Sequence, residues 1–155
     1  VDQVASRLRL AARACTTAST PLPGGEAGRE EVLKELATFT AVPGESHAHL
    51  HAVYGSRAPL VASLTRDTPE LGRPICTRSG AIGAEIVFAV REEFAVTLGD
   101  VLLRRCMVGL GPDLGRGAVQ PALLVAARFL GWDESRCRAE GAAYLGEIAP
   151  LSVPP

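Results

Sequence analysis

The chain contains 155 residues, of which 16 are basic, 17 are acidic and 47% are apolar, and its net charge at pH 7 is −1. This length and mixture suit a single globular domain, and the near-neutral charge excludes the basic surface that most nucleic-acid-binding proteins carry. No apolar run approaches the ~20 residues that a membrane-spanning helix needs, so we expect no transmembrane segment. Since the chain begins at Val1 and its one methionine is Met107, we interpret it as part of a longer protein or as a trimmed product.

The first 25 residues are predicted to join the domain to an upstream region. Residues 1–10 have the spacing expected at the end of a helix, and residues 15–25 are rich in Thr, Ser, Pro and Gly, which favour loops. We therefore divide the chain into a junction helix and linker over residues 1–25, a helical domain over residues 26–150 and a short tail over residues 151–155.

Apolar residues recur at helical spacing in seven segments after this linker. The segments cover residues 30–40, 46–54, 58–66, 83–95, 97–105, 121–130 and the region that follows Asp133. The strongest of them carries an apolar stripe formed by Ile86, Val87, Val90 and Phe94. The predicted fold class is therefore mainly α, an irregular bundle of about seven or eight helices in a single domain. One or two short strands remain an alternative for the irregular segments.

Capping residues mark the ends of several predicted helices. Side-chain N-caps are predicted at Ser46, Thr97 and Asp133, since short polar side chains satisfy the first free amides of a helix. Asp100 stands three positions after Thr97, as the acidic member of a capping box does. Gly55 and Gly131 follow apolar stripes, where glycine commonly ends a helix.

Neither the histidines nor the cysteines have the spacing of a metal site. His47 and His51 would share one face of a helix, whereas His49 would point to the opposite side at 100° per residue. The four cysteines are Cys15, Cys76, Cys106 and Cys137. They are too widely spaced for a zinc motif. We expect them to be reduced thiols of a cytoplasmic protein, with two disulfides as the alternative.

The glycines between residues 109 and 117 resemble a dinucleotide-binding fingerprint only in part. After Gly109 and Gly111, the interval to Gly115 is one residue too long for the GxGxxG pattern, and no predicted strand precedes it. We interpret the segment as a loop between helices. No catalytic, cofactor-binding or metal-binding residue is therefore predicted from motifs of this kind.

Charged residues are concentrated in and after the strongest helix. Six of them are predicted to form a structural ion-pair network that fixes how two helices meet: Glu85, Arg91, Glu93, Asp100, Arg104 and Arg105. Asp100 and Arg104 have the i, i+4 spacing that favours an ion pair. Arginines nearby keep carboxylates ionised, which favours a structural role over acid–base chemistry. A phosphate-binding or partner-binding site is the alternative.

The same region resembles a known family. The matching residues are Ala84, Glu85, Phe88, Arg91 and Glu93, followed by Thr97, Leu98, Asp100, Leu102, Arg104 and Arg105. Their order and spacing resemble the C-terminal domain of the FAD-dependent glycerol-3-phosphate dehydrogenases. Shorter matches at residues 21–24, 50–55 and 130–133 extend the resemblance over nearly the whole chain. Cys106, where the family often has Thr, and Pro121 depart from its pattern.

The resemblance implies a parent enzyme that oxidises glycerol 3-phosphate to dihydroxyacetone phosphate, with hydride passing to FAD and electrons passing on to a quinone or to oxygen. FAD and substrate would bind in the N-terminal region of the parent, so this fragment would hold no cofactor. The implied partners are that N-terminal FAD and substrate domain and, in a dimer, a second subunit. Membrane contact would occur only through the parent, which is expected in the cytoplasm or at the inner face of the cell membrane.

Three functions are therefore compared. The first is an accessory domain that packs on the catalytic domain and supports a dimer. The second is a stand-alone helical protein-interaction module. The third is a small helical enzyme that uses the Glu/Arg cluster. The sequence upstream of this chain would distinguish the first from the other two.

Overall fold

A computed structural model describes residues 2–9, 11 and 16–151 of the chain. Within these residues it contains seven α-helices, which are α1 (Asp2–Arg7), α2 (Arg29–Leu36), α3 (Gly44–Tyr54), α4 (Ala58–Asp67), α5 (Gly83–Glu92), α6 (Val119–Leu130) and α7 (Glu134–Ile148). The prediction of a mainly α, single-domain fold with about seven or eight helices is thus confirmed. Cys15 and residues 152–155 of the predicted tail lie outside the described residues.

A small hairpin interrupts the helices between α4 and α5. Strand β1 (Pro74–Cys76) pairs antiparallel with β2 (Ala81–Ile82), and the register shifts between Pro74 and Cys76. Five short 3₁₀ turns are also present among the described residues, over Gly55–Arg57, Pro69–Gly72, Val108–Leu110, Arg116–Ala118 and Ala149–Leu151. The short strands left open by the sequence therefore lie in the irregular segment before α5.

The predicted helix at residues 97–105 forms largely as a π-helix, over Asp100–Arg105. The amide of Cys106 donates to the carbonyl oxygen of Val101 at 3.0 Å, which is the wider i, i+5 spacing of this helix type. At its N-terminal side the predicted cap is present, since Thr97 Oγ1 accepts from the Asp100 amide at 3.0 Å. Asp100 Oδ2 accepts in return from the Thr97 amide at 3.0 Å.

Two other caps also have the predicted geometry. Asp133 Oδ1 accepts from the Arg136 amide at 2.7 Å at the start of α7. Gly131 ends α6 with a φ of 70°, in the left-handed region that glycine adopts without strain. The predicted cap at Ser46 was wrong, because α3 begins earlier, at Gly44 after Pro43, and Ser46 is buried inside the helix.

Helix α5 lies between two hydrophobic clusters and is buried on both sides. Ile86 and Ala89 belong to the first cluster, with residues of the π-helix, α6 and α7. Val87 and Phe88 belong to the second, with residues of α2, α3 and α4. Phe94 does not continue the stripe as predicted, because α5 ends at Glu92 and the chain turns at Phe94 with a φ of 58°. Its side chain is 91% exposed.

Candidate functional site

The six charged residues predicted to form one network lie in three separate groups. Arg91 Nη2 donates to the carbonyl oxygen of Phe129 at 3.2 Å on the surface between α5 and α6. Glu85 is buried between α3 and α5. The other four members surround the loop that joins α5 to the π-helix: Glu93, Asp100, Arg104 and Arg105. Glu85 therefore lies apart from Asp100 and Arg104, because the first turn of α5 directs it into the protein.

Glu85 is fully buried and joins three elements. Its Oε1 accepts from the Ile82 amide at 2.8 Å, which satisfies a free amide at the start of α5 from the N3 position. Its Oε2 lies 3.0 Å from His49 Nε2 on α3. The carboxylate accepts only, so the Nε2 nitrogen of His49 is the donor. One side chain thus links the hairpin, α3 and α5.

Tyr54 lies beside this pair at the end of α3. Its ring meets Phe88 edge to face, with the ring centroids 5.8 Å apart. Burial, and after it the negative charge of Glu85, raises the pKa of Tyr54 far above its usual value. Burial and the Glu85 carboxylate also raise the pKa of Cys106 to about 12. Both groups therefore keep their protons at neutral pH, and neither is suited to act as a nucleophile.

The loop between α5 and the π-helix is held by side chains from the π-helix and from α7. Arg105 donates from Nε and Nη2 to the carbonyl oxygen of Glu93, at 3.0 and 2.9 Å. Arg136 of α7 donates to the carbonyl oxygen of Val96 at 2.9 Å. Glu140, also on α7, accepts from the amide of Leu98 at 2.8 Å. We name residues 93–98 the anchor loop.

Asp100 also contacts the anchor loop. Its Oδ2 accepts from the amides of Val96 and Thr97, at 3.1 and 3.0 Å. The hydrogen bonds from the Thr97 backbone and side chain, with smaller effects from Val96 and the Arg104 charge, lower the pKa of Asp100. The carboxylate is therefore ionised across the physiological range.

Arg104 extends the contacts to the C-terminal helix. Its Nη2 lies 2.8 Å from Glu147 Oε1, and its Nη1 lies 3.5 Å from Asp100 Oδ1. The Arg104 side chain is 52% exposed, so solvent weakens both ion pairs. These contacts orient α7 against the π-helix but are of the kind that contributes little stability.

A cleft of about 420 Å³ opens beside the anchor loop, and three arginines line it: Arg57, Arg104 and Arg105. Arg57 faces Glu93 Oε1 at 3.5 Å, and its guanidinium stacks over Phe88, 5.4 Å from the ring centroid. The other two guanidiniums bind Glu147, Asp100 and the Glu93 carbonyl, as described above. Because each cation already has an acceptor within the protein, the cleft favours the structural interpretation of the charged cluster over a phosphate site.

The histidines of α3 do not converge. His49 is bound to Glu85, and among the described residues no group of three or more His, Cys, Asp or Glu side chains is placed to hold a metal ion. The position of His49 beside the buried face of α3 could have been inferred from the sequence. Ser46, Leu50 and Tyr54 recur every four residues and are all buried, and position 49 borders that stripe.

Comparisons with known proteins agree on one family. Residues 15–137 match the profile of the C-terminal domain of alpha-glycerophosphate oxidase. A glycerol-3-phosphate dehydrogenase of Synechocystis is 33% identical over 139 residues, which cover 88% of this chain and 25% of the relative. A probable mitochondrial glycerol-3-phosphate dehydrogenase of Dictyostelium discoideum is 29% identical over 129 residues, covering 83% of this chain and 20% of the relative.

A third relative, glycerol-3-phosphate dehydrogenase 2 of Mycobacterium tuberculosis, is 30% identical over 101 residues, covering 64% of this chain and 17% of the relative. The chain thus spans a quarter or less of the length of these relatives. No solved structure matches the chain. Among the described residues, no helix has both the length and the apolar character needed to cross a membrane.

Proposed function

Since this chain belongs to the family of C-terminal domains found in alpha-glycerophosphate oxidase and the glycerol-3-phosphate dehydrogenases, we propose that it is the accessory domain of such an enzyme and packs on its catalytic region. The proposed parent oxidises glycerol 3-phosphate to dihydroxyacetone phosphate with FAD as the hydride acceptor. The observation that carries the proposal is the match over residues 15–137 in a chain that spans 25% of its Synechocystis relative.

The strand-to-helix turn at the start of α5 does not fit a flavin. A flavin platform places the pyrophosphate where a strand leads through a glycine into a helix N-terminus. Here β2 leads through Gly83 into α5, but the Glu85 carboxylate already accepts from the Ile82 amide at that end. A Cβ atom on Gly83 would lie 3.2 Å from a Val125 methyl group and 3.3 Å from the Leu71 carbonyl oxygen, so this helix end is closely packed. FAD is therefore assigned to the rest of the proposed parent.

The charged groups support a structural role. The described contacts of Asp100, Arg104 and Arg105 are to backbone groups and side chains of the domain itself, which fixes the anchor loop and α7. The proposed partner is the FAD and substrate region of the parent, and a second subunit is proposed for a dimeric parent. Any membrane contact is assigned to that region, in a parent located in the cytoplasm or at the inner face of the membrane.

Cleavage between the domain and the upstream region tests this proposal. A site for a specific protease is inserted in the exposed 16–21 turn of the full-length gene product, and the cleaved protein is passed over a gel-filtration column. We expect the domain to co-elute with a yellow, flavin-containing remainder. Separation of the two parts would contradict packing, and a gene product without a flavin-binding remainder would contradict the proposed parent.

The chain expressed alone supplies the complementary measurement. We expect it to be colourless, without flavin absorbance, and to reduce no dye in the presence of glycerol 3-phosphate. Yellow protein, or dye reduction that depends on glycerol 3-phosphate, would make this chain a catalytic domain.

A further inference from the structure

The anchor loop displays apolar side chains that are not buried within the domain. Phe94 is 91% exposed and Val96 is 64% exposed. Phe94 also has a φ of 58°, in the left-handed region that glycine adopts readily and bulky residues rarely do. The loop therefore carries a large aromatic side chain at a position where the isolated domain gains almost nothing from it.

The backbone around Phe94 is nevertheless fixed on both sides. Before it, the carbonyl oxygen of Glu93 accepts two hydrogen bonds from Arg105. After it, the amide of Ala95 donates to the Ala89 carbonyl oxygen at 3.0 Å, and Val96 is held through both its amide and its carbonyl by Asp100 and Arg136. Fixing the backbone of a loop before it binds reduces the entropy lost on binding.

We propose that Phe94 is the anchor by which this domain docks into an apolar pocket on the preceding region of the same longer polypeptide, with Val96 beside it. Aromatic side chains in desolvated pockets contribute much of the binding energy of protein interfaces. The inference rests on the proposed function and adds to it the surface through which the domain packs.

The lengths of the relatives indicate which part of the protein covers the anchor loop. The Synechocystis relative is matched over 25% of its length and the Dictyostelium relative over 20%. Three quarters or more of such a protein therefore lies outside the part that this chain matches and is covalently available to cover an exposed surface. Met107, which is exposed and lines the cleft beside Glu93 and Arg105, extends the apolar surface next to the anchor loop.

Thiol labelling measures whether the anchor loop is covered. Val96→Cys, which keeps the Phe94 side chain, and, as a matched control, Leu60→Cys are made in the isolated chain and in the full-length gene product. Leu60 is 56% exposed on α4, outside the anchor loop. The rate at which each introduced thiol reacts with an aromatic disulfide reagent is measured, and the reaction of the native cysteines is subtracted.

We expect the ratio of the rate at position 96 to the rate at position 60 to fall at least tenfold in the full-length protein relative to the isolated chain. If the cleaved parts co-elute and this ratio stays unchanged, the Phe94 anchor is wrong while the proposed function stands. If the cleaved parts separate, both are wrong. If the thiol at position 96 of the isolated chain becomes protected as protein concentration rises, a second copy of the chain covers the anchor loop and the proposal is overturned.

A glycine substitution tests whether Phe94 acts outside the domain. In the isolated chain, we expect Phe94→Gly to leave the melting temperature unchanged or to raise it, because glycine adopts the left-handed conformation without strain. In the cleaved full-length protein, the same substitution should release at least half of the domain from the remainder on gel filtration. A melting temperature lowered by several degrees in the isolated chain, or undiminished co-elution of the variant, would overturn the proposal.

Discussion

Glu85 is a side chain whose loss we expect to be costly. In Glu85→Ala, the amide of Ile82 and the ring of His49 lose their acceptor inside the protein. A buried polar group left without its partner costs about 1–3 kcal/mol, and this substitution leaves two such groups. We therefore expect the free energy of unfolding, measured with urea, to fall by about 3 kcal/mol.

Arg104→Ala is the matched control for this prediction. Arg104 contacts two carboxylates, but its side chain is 52% exposed, and exposed ion pairs contribute about 0–1 kcal/mol. Equal losses of unfolding free energy in the two variants would mean that burial does not determine how much these charged side chains contribute to stability.

Asp100 is expected to make stability depend on acid pH. Its pKa is lowered in the folded protein from the usual 3.8, chiefly by hydrogen bonds from Thr97. A carboxyl group with a lowered folded pKa stabilises the protein above its unfolded pKa, and this contribution is lost as the pH falls through the unfolded value towards the folded one. The free energies of unfolding of wild type and Asp100→Asn, measured with urea, should therefore differ most near pH 6. The difference between them should shrink by pH 3. A difference that is the same at both pH values would contradict the role given to the carboxylate.

At the scale of elements, the loop before α6 depends on glycines that pack against Tyr144. The Tyr144 hydroxyl donates to the Leu114 carbonyl oxygen at 2.8 Å, and burial raises the pKa of Tyr144 to about 12. A Cβ atom on Gly115 would lie 2.7 Å from this hydroxyl, at a φ of 66°. We expect Gly115→Ala to lower the free energy of unfolding by about 2–4 kcal/mol, from backbone strain and the displaced hydrogen bond.

Gly146→Ala provides the control, because a Cβ atom there would have no neighbour within 4 Å and the residue lies inside α7. Alanine in a helix interior is favoured over glycine by about 0.5–1 kcal/mol, so this variant should be more stable than wild type. Thermal unfolding followed by circular dichroism compares the two. Destabilisation of similar size in both would contradict the packing argument.

Apart from the cap at Ser46, the accuracy of the sequence-based predictions followed the sequence separation of the interacting residues. The capping box of Thr97 with Asp100 and the cap at Asp133 were predicted correctly, because each depends on residues three positions apart. The pairing of His49 with Glu85 joins residues 36 positions apart, and the contact of Arg105 with the Glu93 carbonyl depends on a turn that ends α5 early. Helical periodicity carries no information about such contacts, so the site was predicted as one network and not as three groups.

The burial of Phe94 was also predicted wrongly from helical periodicity. Its spacing from Ile86 and Val90 predicts a position on the buried stripe of one long helix. The helix ends two residues earlier, and the chain turns outward at Phe94. The family resemblance, by contrast, was confirmed by the profile match, because it used the identities of many residues and not the geometry of any one.

For the whole molecule, the position of α5 between the two hydrophobic clusters predicts a single cooperative unfolding transition. Leu36 belongs to the cluster formed with α2, α3 and α4, whereas Trp132, the only tryptophan, belongs to the cluster formed with α6 and α7. Since α5 packs into both clusters, neither can lose its structure without exposing one side of this helix.

Leu36→Ala should therefore destabilise the region around Trp132, although it lies in the other cluster. We expect a loss of about 2–5 kcal/mol, as for other buried leucines. The urea midpoint measured by Trp132 fluorescence should fall by the same amount as the midpoint measured by far-ultraviolet circular dichroism, because coincidence of probes is the mark of two-state unfolding. Leu60→Ala, at an exposed position of α4, should move neither midpoint appreciably. If Leu36→Ala shifts the circular dichroism midpoint and leaves the fluorescence midpoint in place, the two clusters unfold independently, and α5 does not couple them.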